Sequence, residues 1–506
     1  MPPNQSTSVG SGRTQALAVI ALMTAIRLVI AATTPLTDSE SYYAIWGRFP
    51  SWSYYDHPPL LAWLLSLVQR EAVTPLALRL VPILCAAWFG WLVYRLGERM
   101  FSPRAGLIAL SIVTVIPAFF VNSIAVSPAG PLAPLWVLAL LQLWSMRDGV
   151  QPWRPALLGA VVGLAFLAEF TGLLLVPVIV LWLSATPVTR RWWSRPSLMW
   201  GAVIALLVAM PVLWWNAEHG WPSLELRFVE RLAPLTADSL RTLGPSVLLK
   251  QIAAYHPLVV PVLIAAAVFA VKAARTDDRC RLLALASVPV LLFLLALMMR
   301  VRDAGPQTTL VAWVPLAGAA AGWLDARLAS QPAPSPLLWH ARVTVALSAI
   351  AFTIGFVHLK TPLLQQLLPD AAAQQADADV SNELYGWEEI APAIREDAAD
   401  LGDGAVVASC QHALCAQLMR RLNDSPRVFC PSANKSEFDF LDRRDPPEQA
   451  AVIYVDNDQH RSDPLTLMPR RSCRPLRTIS VGRGGPVTRH YRLIACTPAE
   501  TLRAAR

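Results

Sequence analysis

Residues 37–63, TDSESYYAIWGRFPSWSYYDHPPLLAW, bring Asp38, Glu40, Asp56 and His57 within twenty positions of one another. Tyr42, Tyr43, Trp46, Trp52, Tyr54 and Tyr55 lie among them. A carboxylate in a partly desolvated, aromatic-lined loop has its pKa raised, which suits a general base. Aromatic faces pack on sugar C–H groups, and carboxylates hold hydroxyls. The set therefore suits a carbohydrate site; the competing reading is an interfacial belt of Tyr and Trp with solvated acids. Asp56, His57, His219 and Glu40 also have the residue types of a divalent-metal site, although no HExxH motif or aspartate-rich loop demands one.

These residues need a scaffold, and composition says which kind. The 506-residue chain is 55% hydrophobic and 15% charged, against about 25% charged in a soluble domain. Its mean hydropathy is +0.43. This excludes a disordered chain, a disulfide-rich mini-domain and an ordinary cytosolic enzyme, and points to an integral membrane protein. Apolar stretches lie near 14–34, 76–97, 105–122, 128–146, 155–169, 171–185, 198–215, 247–271, 282–299, 309–326 and 341–359. At about 20 residues per span they predict about eleven transmembrane helices. The long run 155–185 divides at Glu169, and 58–69 is too short to cross, so it reads as an interfacial helix. Arg27 within the first span either snorkels or faces the bundle interior.

Basic residues concentrate in alternate loops, at Arg99 and Arg104, Arg147 and Arg154, Arg190, Arg191 and Arg195, and Lys272 to Arg281. The positive-inside rule then puts the N-terminus in the cytoplasm. An odd helix count places everything after Lys360 outside. The net charge of +8, from 43 Lys and Arg against 35 Asp and Glu, fits topology and contact with membrane lipids. No basic stripe is interleaved with exposed aromatics, so nucleic acid is set aside.

From about residue 370 charged residues become frequent. Short strand-like runs follow at 405–409, 427–430, 451–455, 477–481 and 490–495, with helical patterns at 386–400 and 411–422. The expected organisation is a tail over 1–13, a membrane domain over 14–365 with an outer loop 35–75, and a small soluble α/β domain over 366–506. Five of the seven cysteines, Cys410, Cys415, Cys430, Cys473 and Cys496, fall in the last hundred residues, which suggests an oxidising compartment. Cys473 with Cys496 is one plausible pair; Cys410 with Cys415, or either with Cys430, is another.

The stretch 37–63 resembles the first outer loop of the polytopic GT-C glycosyltransferases, bacterial relatives of dolichyl-phosphate-mannose protein mannosyltransferases that include aminoarabinose- and galacturonosyl-transferases. The matching positions are Glu40, Tyr42, Tyr43, Tyr54, Tyr55, Asp56, His57, Pro58, Pro59, Leu60 and Trp63. A second match is 211–223, PVLWWNAEHGWPS, and a third runs from Trp387 to SEFDF at 436–440. The resemblance implies a helical GT-C membrane domain of about eleven spans with a small extracytoplasmic α/β domain. It implies inverting transfer of a sugar from a polyprenyl-phosphate donor to a lipid, glycan or protein acceptor, outside the cell inner membrane. An acidic residue of the outer loop would deprotonate the acceptor hydroxyl. The phosphate leaving group would need cationic or hydrogen-bonding stabilisation, for which Arg48, Arg227, Arg231, Lys250 and His219 are candidates, each equally a surface charge beside lipid phosphates.

On this reading Glu40 and Asp38 form the catalytic pair. Asp56 and His57 contact donor or a metal, and Tyr43, Tyr54, Tyr55, Arg48, Asn216, His219, Trp221 and Glu169 complete the substrate site. No definite cofactor is implied, and a divalent metal on Asp56, His57 and His219 is an open alternative. Three positions depart from the family pattern. Ser39-Glu40 stands for an Asp-Glu pair, Ser127-Pro128-Ala129 for Thr-Pro-Asp, and Glu169-Phe170 for a Lys before an aromatic. These departures keep open a non-catalytic relative that binds lipid-linked sugar. A lipid or glycan transporter is the remaining alternative, although no inverted repeat is visible.

Overall fold

A computed structural model describes residues 3–69, 74–149, 151–228, 236–300, 305–330, 336–367, 379–482 and 487–499. The chain divides into two compact units. One comprises Met1–Ala31, Pro50–Ser53 and His57–Phe352, and the other Ala32–Phe49, Tyr54–Asp56 and Thr353–Arg506. The second unit thus combines most of the acidic stretch with the C-terminal region. The sequence pattern draws the boundary at 366 and keeps loop 35–75 with the helices.

The first unit is helical. Among the described residues seven helices are long and apolar enough to cross a membrane: Gly10–Thr33, Pro75–Met100, Ala129–Asp148, Pro196–Glu218, Asp278–Met298, Pro306–Ser330 and Pro336–Lys360. The pair Phe170–Ala185 and Pro187–Ser194, bent by 113°, raises the number to eight if counted as one span, and Pro103–Val115, Arg154–Ala168 and Val260–Ala273 are shorter apolar helices. The chain is a multi-span membrane protein. Two expected spans are broken, for reasons legible in the backbone. The stretch 105–122 stops at Ile116, which is extended because Pro117 follows it. The stretch 247–271 becomes Ala237–Ala254 and Val260–Ala273, separated at His256, whose φ is +72°, just before Pro257. The expected division at Glu169 is present, with that residue extended between Arg154–Ala168 and a 3₁₀ turn Phe170–Leu174.

Small residues allow close packing in this unit. A Cβ on Gly159 would stand 1.9 Å from the Gly201 carbonyl oxygen, so Arg154–Ala168 and Pro196–Glu218 can approach only because both positions are glycine. Trp182 and Trp192 are fully buried and donate their indole N–H groups to the carbonyls of Leu143 and Met146. Trp192 thereby satisfies a carbonyl in the last turn of Ala129–Asp148, and Trp182 adds a bond to a carbonyl just before that turn. Arg27 is 8% exposed, and its Nε donates to Ser123 Oγ at 2.6 Å. It faces the interior rather than snorkelling.

The second unit holds a five-stranded mixed sheet. Its strands are β1 (Val406–Ala408), β2 (Val428–Phe429), β3 (Val452–Asn457), β4 (Arg471–Gly482) and β5 (Val487–Pro498), in the order β2-β1-β3-β5-β4. β1 runs parallel to β2 and β3, whereas β5 is antiparallel to β3 and β4. β3 is buried at every position, as expected for a central strand covered on both faces. The helix His412–Leu422 begins at Gln411, whose side chain accepts from the N–H groups of Ala413 and Leu414, and ends at Asn423 in the left-handed region. Disulfides join Cys415 to Cys430 and Cys473 to Cys496, leaving Cys410 as a thiol.

Candidate active site

The acidic stretch folds as the helix Asp38–Arg48, opened by a capping box. Glu40 N donates to Thr37 Oγ1 at 3.2 Å, and Glu40 Oε2 accepts from Thr37 N at 2.9 Å and from its hydroxyl at 3.2 Å. Two orphan N–H groups of the first turn are satisfied this way. Glu40, one of the two expected catalytic acids, therefore commits one carboxylate oxygen to its own helix start.

Asp38 is placed differently. It is 6% exposed, and its Oδ1 accepts from Gln417 Nε2 at 3.0 Å. The same Nε2 donates to the Leu36 carbonyl at 3.2 Å, so the amide spans the chain on both sides of Thr37. Burial pushes the Asp38 carboxyl above the usual range, while the Gln417 hydrogen bond and the Arg489 charge hold it down in part. Glu383 lies close enough to feel this charge. Burial first and Asp38 second raise it to about 7, against the opposing pull of Arg489 and of the Asp38 N–H. Arg489 is itself buried and donates to Gln459 Oε1 at 2.8 Å. Two acids, one guanidinium and one amide are thus grouped at a helix N-terminus, where negative charge is favoured.

A second network holds Asp56. Tyr42 donates its hydroxyl proton to Asp56 Oδ2 at 2.6 Å and accepts from the Glu437 N–H at 2.9 Å. Glu437 Oε2 accepts from Tyr55 N at 2.8 Å. Glu437 is 2% exposed; burial drives its carboxyl well above the ordinary range, the Tyr55 N–H opposes this, and the charge of Asp56 adds to it. Aromatic contacts follow the same line: Phe438 stacks on Tyr42 at 6.3 Å between centroids, and Phe440 on Tyr55 at 5.8 Å. The SEFDF stretch is therefore laid along both halves of the acidic motif. The His412 ring lies 4.7 Å from that of Tyr42, and burial lowers its pKa against the pull of Asp56.

The remaining expected residues lie in varied surroundings. Tyr54 is fully buried, its ring stacked on Trp46 at 4.9 Å and its hydroxyl donating to the carbonyls of Trp46 and Phe49. It closes the C-terminal end of the helix. Tyr43 packs edge-on against Trp46. Arg48 is exposed, with its guanidinium over Phe49. His57 is half-buried at the start of the His-Pro-Pro turn that leads into Leu60–Val68. Glu169 is the extended residue at a helix break, where its carbonyl accepts from Gly172 N.

In the first unit, Asn216 is fully buried; its amide donates to the Val212 carbonyl and accepts from Ser223 N. His219 stacks on Trp215 at 4.3 Å, with Nδ1 2.7 Å from the Trp215 carbonyl. Trp221, at φ +65°, is half exposed. Together these residues terminate the helix Pro196–Glu218. Among the described residues no three His, Cys, Asp or Glu side chains group to hold a metal ion. Of the phosphate candidates, Arg231 and the Arg227 side chain lie outside the described residues.

Sequence reasoning misses Gln417, Glu383, Arg489 and His412 altogether. It reaches Glu437 only through the SEFDF resemblance and gives that residue no role.

A family model described as dolichyl-phosphate-mannose-protein mannosyltransferase matches residues 56–215. The lipid A galacturonosyltransferase RgtD of Rhizobium johnstonii is 26% identical over 261 residues, covering 50% of this chain and 54% of that protein. The chain spans about half the length of this curated relative. Among solved structures, ArnT of Cupriavidus metallidurans in the apo state aligns over 97% of this chain and 99% of its own, with TM-score 0.60 and 16% identity. The same protein bound to undecaprenyl phosphate gives 0.59 and 17%, over 96% and 97% of the two chains. The Archaeoglobus fulgidus oligosaccharyltransferase in complex with zinc and sulfate gives 0.51 and 14%, over 87% and 67%.

Proposed function

From the GT-C fold that this chain shares with the polytopic membrane glycosyltransferases, we propose that it transfers a sugar from a polyprenyl-phosphate donor to a lipid acceptor. The observation that carries this reading is Asp38: a buried carboxylate whose pKa is raised by burial and whose geometry is set by Gln417. Such a group suits general base catalysis near neutral pH. The acceptor O–H attacks C1 of the donor sugar, its proton passes to Asp38, and the C1–O bond to phosphate breaks. Attack opposite the leaving group inverts C1. Asp56, oriented by Tyr42, is half-buried and suits a sugar hydroxyl. Glu40 organises the helix that carries Asp38.

A lipid acceptor and a polyprenyl donor are supported by what the relatives are: one is a lipid A galacturonosyltransferase and another binds undecaprenyl phosphate. The two disulfides of the second unit favour its placement in an oxidising compartment, on the periplasmic side of a bacterial inner membrane. The loop arginines favour a cytoplasmic N-terminus. One observation favours a non-catalytic relative: Glu40, the acid that aligns with the family motif, is held in a capping box.

The test is transfer by purified protein in nanodiscs, offered undecaprenyl-phosphate hexoses, pentoses and hexuronic acids with a membrane-lipid extract. The expected product is a glycosylated lipid with inverted anomeric configuration. Donor binding without turnover across the panel would instead establish the non-catalytic relative.

A further inference from the structure

We propose that Gln417, on the helix His412–Leu422 of the α/β domain, is a positioning residue for Asp38, which makes the C-terminal domain part of the working site. The inference rests on the transferase reading above and extends it to a residue 379 positions away in sequence.

Gln417 is fully buried, yet only half of its amide is used. Nε2 donates to Asp38 Oδ1 and to the Leu36 carbonyl, whereas Oε1 is buried with no hydrogen-bond partner among the described residues. Both acceptors face Nε2, so the orientation of the amide follows from its surroundings. A buried orphan acceptor costs stability, and helix neighbours Leu414, Cys415, Ala416 and Leu418 are apolar at equally buried positions. What Gln417 provides that an apolar side chain could not is a donor fixed on one carboxylate oxygen. That fixes the rotation of the Asp38 carboxylate and leaves its other oxygen to meet an acceptor hydroxyl.

The charged groups facing Asp38 come from two further elements. Glu383 belongs to the turn Val380–Leu384 and Arg489 to β5. Neither spans Leu36 and Asp38 as Gln417 does. The Glu437 network described above anchors Tyr55 and Asp56 from the same domain, so both acids of the motif are oriented from the C-terminal region.

The experiment compares wild type, Gln417→Leu and Gln417→Glu in the nanodisc transfer assay with an undecaprenyl-phosphate sugar the wild type accepts, from pH 5 to 9. Gln417→Leu should lower kcat about a hundredfold at pH 7, with KM for donor within about threefold. Losing the donor removes a stabiliser of the charged carboxylate, so the acid limb of kcat/KM should move up by about one pH unit. Gln417→Glu places a like charge beside Asp38 and should move the limb further. A thermal melt in the same nanodiscs should keep Gln417→Leu close to wild type. Equal loss at every pH, or loss accompanied by an early melt, would overturn positioning and make Gln417 a packing residue; unchanged turnover would do so outright. A wild type silent toward every donor would overturn the transferase reading, and this inference with it.

Discussion

Two stretches carry the family pattern, and the structure uses them in opposite ways. In 211–223 the polar side chains bond to their own turn: Asn216 to Val212 and Ser223, His219 to Trp215. In 38–56 several groups are held from far away, the Asp38 carboxylate by Gln417, the Tyr42 hydroxyl by the Glu437 N–H and the Tyr55 N–H by the Glu437 carboxylate, beside local bonds at Glu40 and Tyr54. Local bonds terminate a helix. Distant bonds to buried acids cost ordering and desolvation that a helix end does not require, and they set carboxylate geometry. On the proposed function, the difference would separate residues that shape the scaffold from residues that orient the reacting groups, although both stretches look equally polar and aromatic in sequence.

That contrast can be broken by substitution. Tyr42→Phe removes the bridge between Asp56 and the Glu437 N–H and leaves a buried N–H unpaired. A hydrogen bond to a charged group is worth about 1.5–3 kcal/mol, so transfer should fall roughly tenfold to a hundredfold, read as kcat/KM at pH 7. Asn216→Ala should act on stability instead. It strips the acceptor from the buried Ser223 N–H, at about 1–3 kcal/mol, and the melting midpoint should drop while kcat stays within about threefold. A large kcat loss with an unchanged melt would move Asn216 into the chemistry and dissolve the contrast.

A smaller effect sharpens the electrostatics of the Asp38 cluster. Glu383 is raised to about 7 by burial and by Asp38, above the unfolded value of about 4.3. Between these values the folded state binds more protons, so Glu383 costs stability progressively as pH rises from about 4.3 to 7. His412 and His460 are lowered by burial and act in the reverse sense as pH falls through about 6.5. Glu383→Gln isolates the first effect. Its melting advantage over wild type should grow from pH 4.5 to 7 and level off above; a pH-independent difference would remove Glu383 from the charged cluster.

Much of the scaffold is legible in the residues. The strand-like runs at 405–409, 427–430, 451–455, 477–481 and 490–495 correspond to β1 to β5, and the helical patterns at 386–400 and 411–422 to Trp387–Leu401 and His412–Leu422. The strands keep their apolar character because Val406, Ala408, Phe429, Val452, Tyr454 and Cys496 share one small core. Span limits are less legible. An apolar run such as 247–271 hides its break, because hydropathy carries no record of His256 at positive φ before Pro257. The acids and aromatics of the site stand out by type. Gln417 does not, since a lone Gln inside a buried helix face has no local signal, and its meaning lies in a partner hundreds of residues earlier. The motif singles out Glu40 in sequence, whereas the structure separates the two acids by their partners, Glu40 in the capping box at Thr37 and Asp38 on Gln417.

The most direct measurement is therefore turnover of Asp38→Asn beside Glu40→Gln, in nanodiscs with the same undecaprenyl-phosphate donor. Glutamine preserves the capping box, so Glu40→Gln should keep kcat within about tenfold of wild type. Loss of a general base costs about 10²–10⁴, and Asp38→Asn should fall in that range while still binding donor. The reverse order, a dead Glu40→Gln and an active Asp38→Asn, would contradict Asp38 as the base and place the chemistry on Glu40.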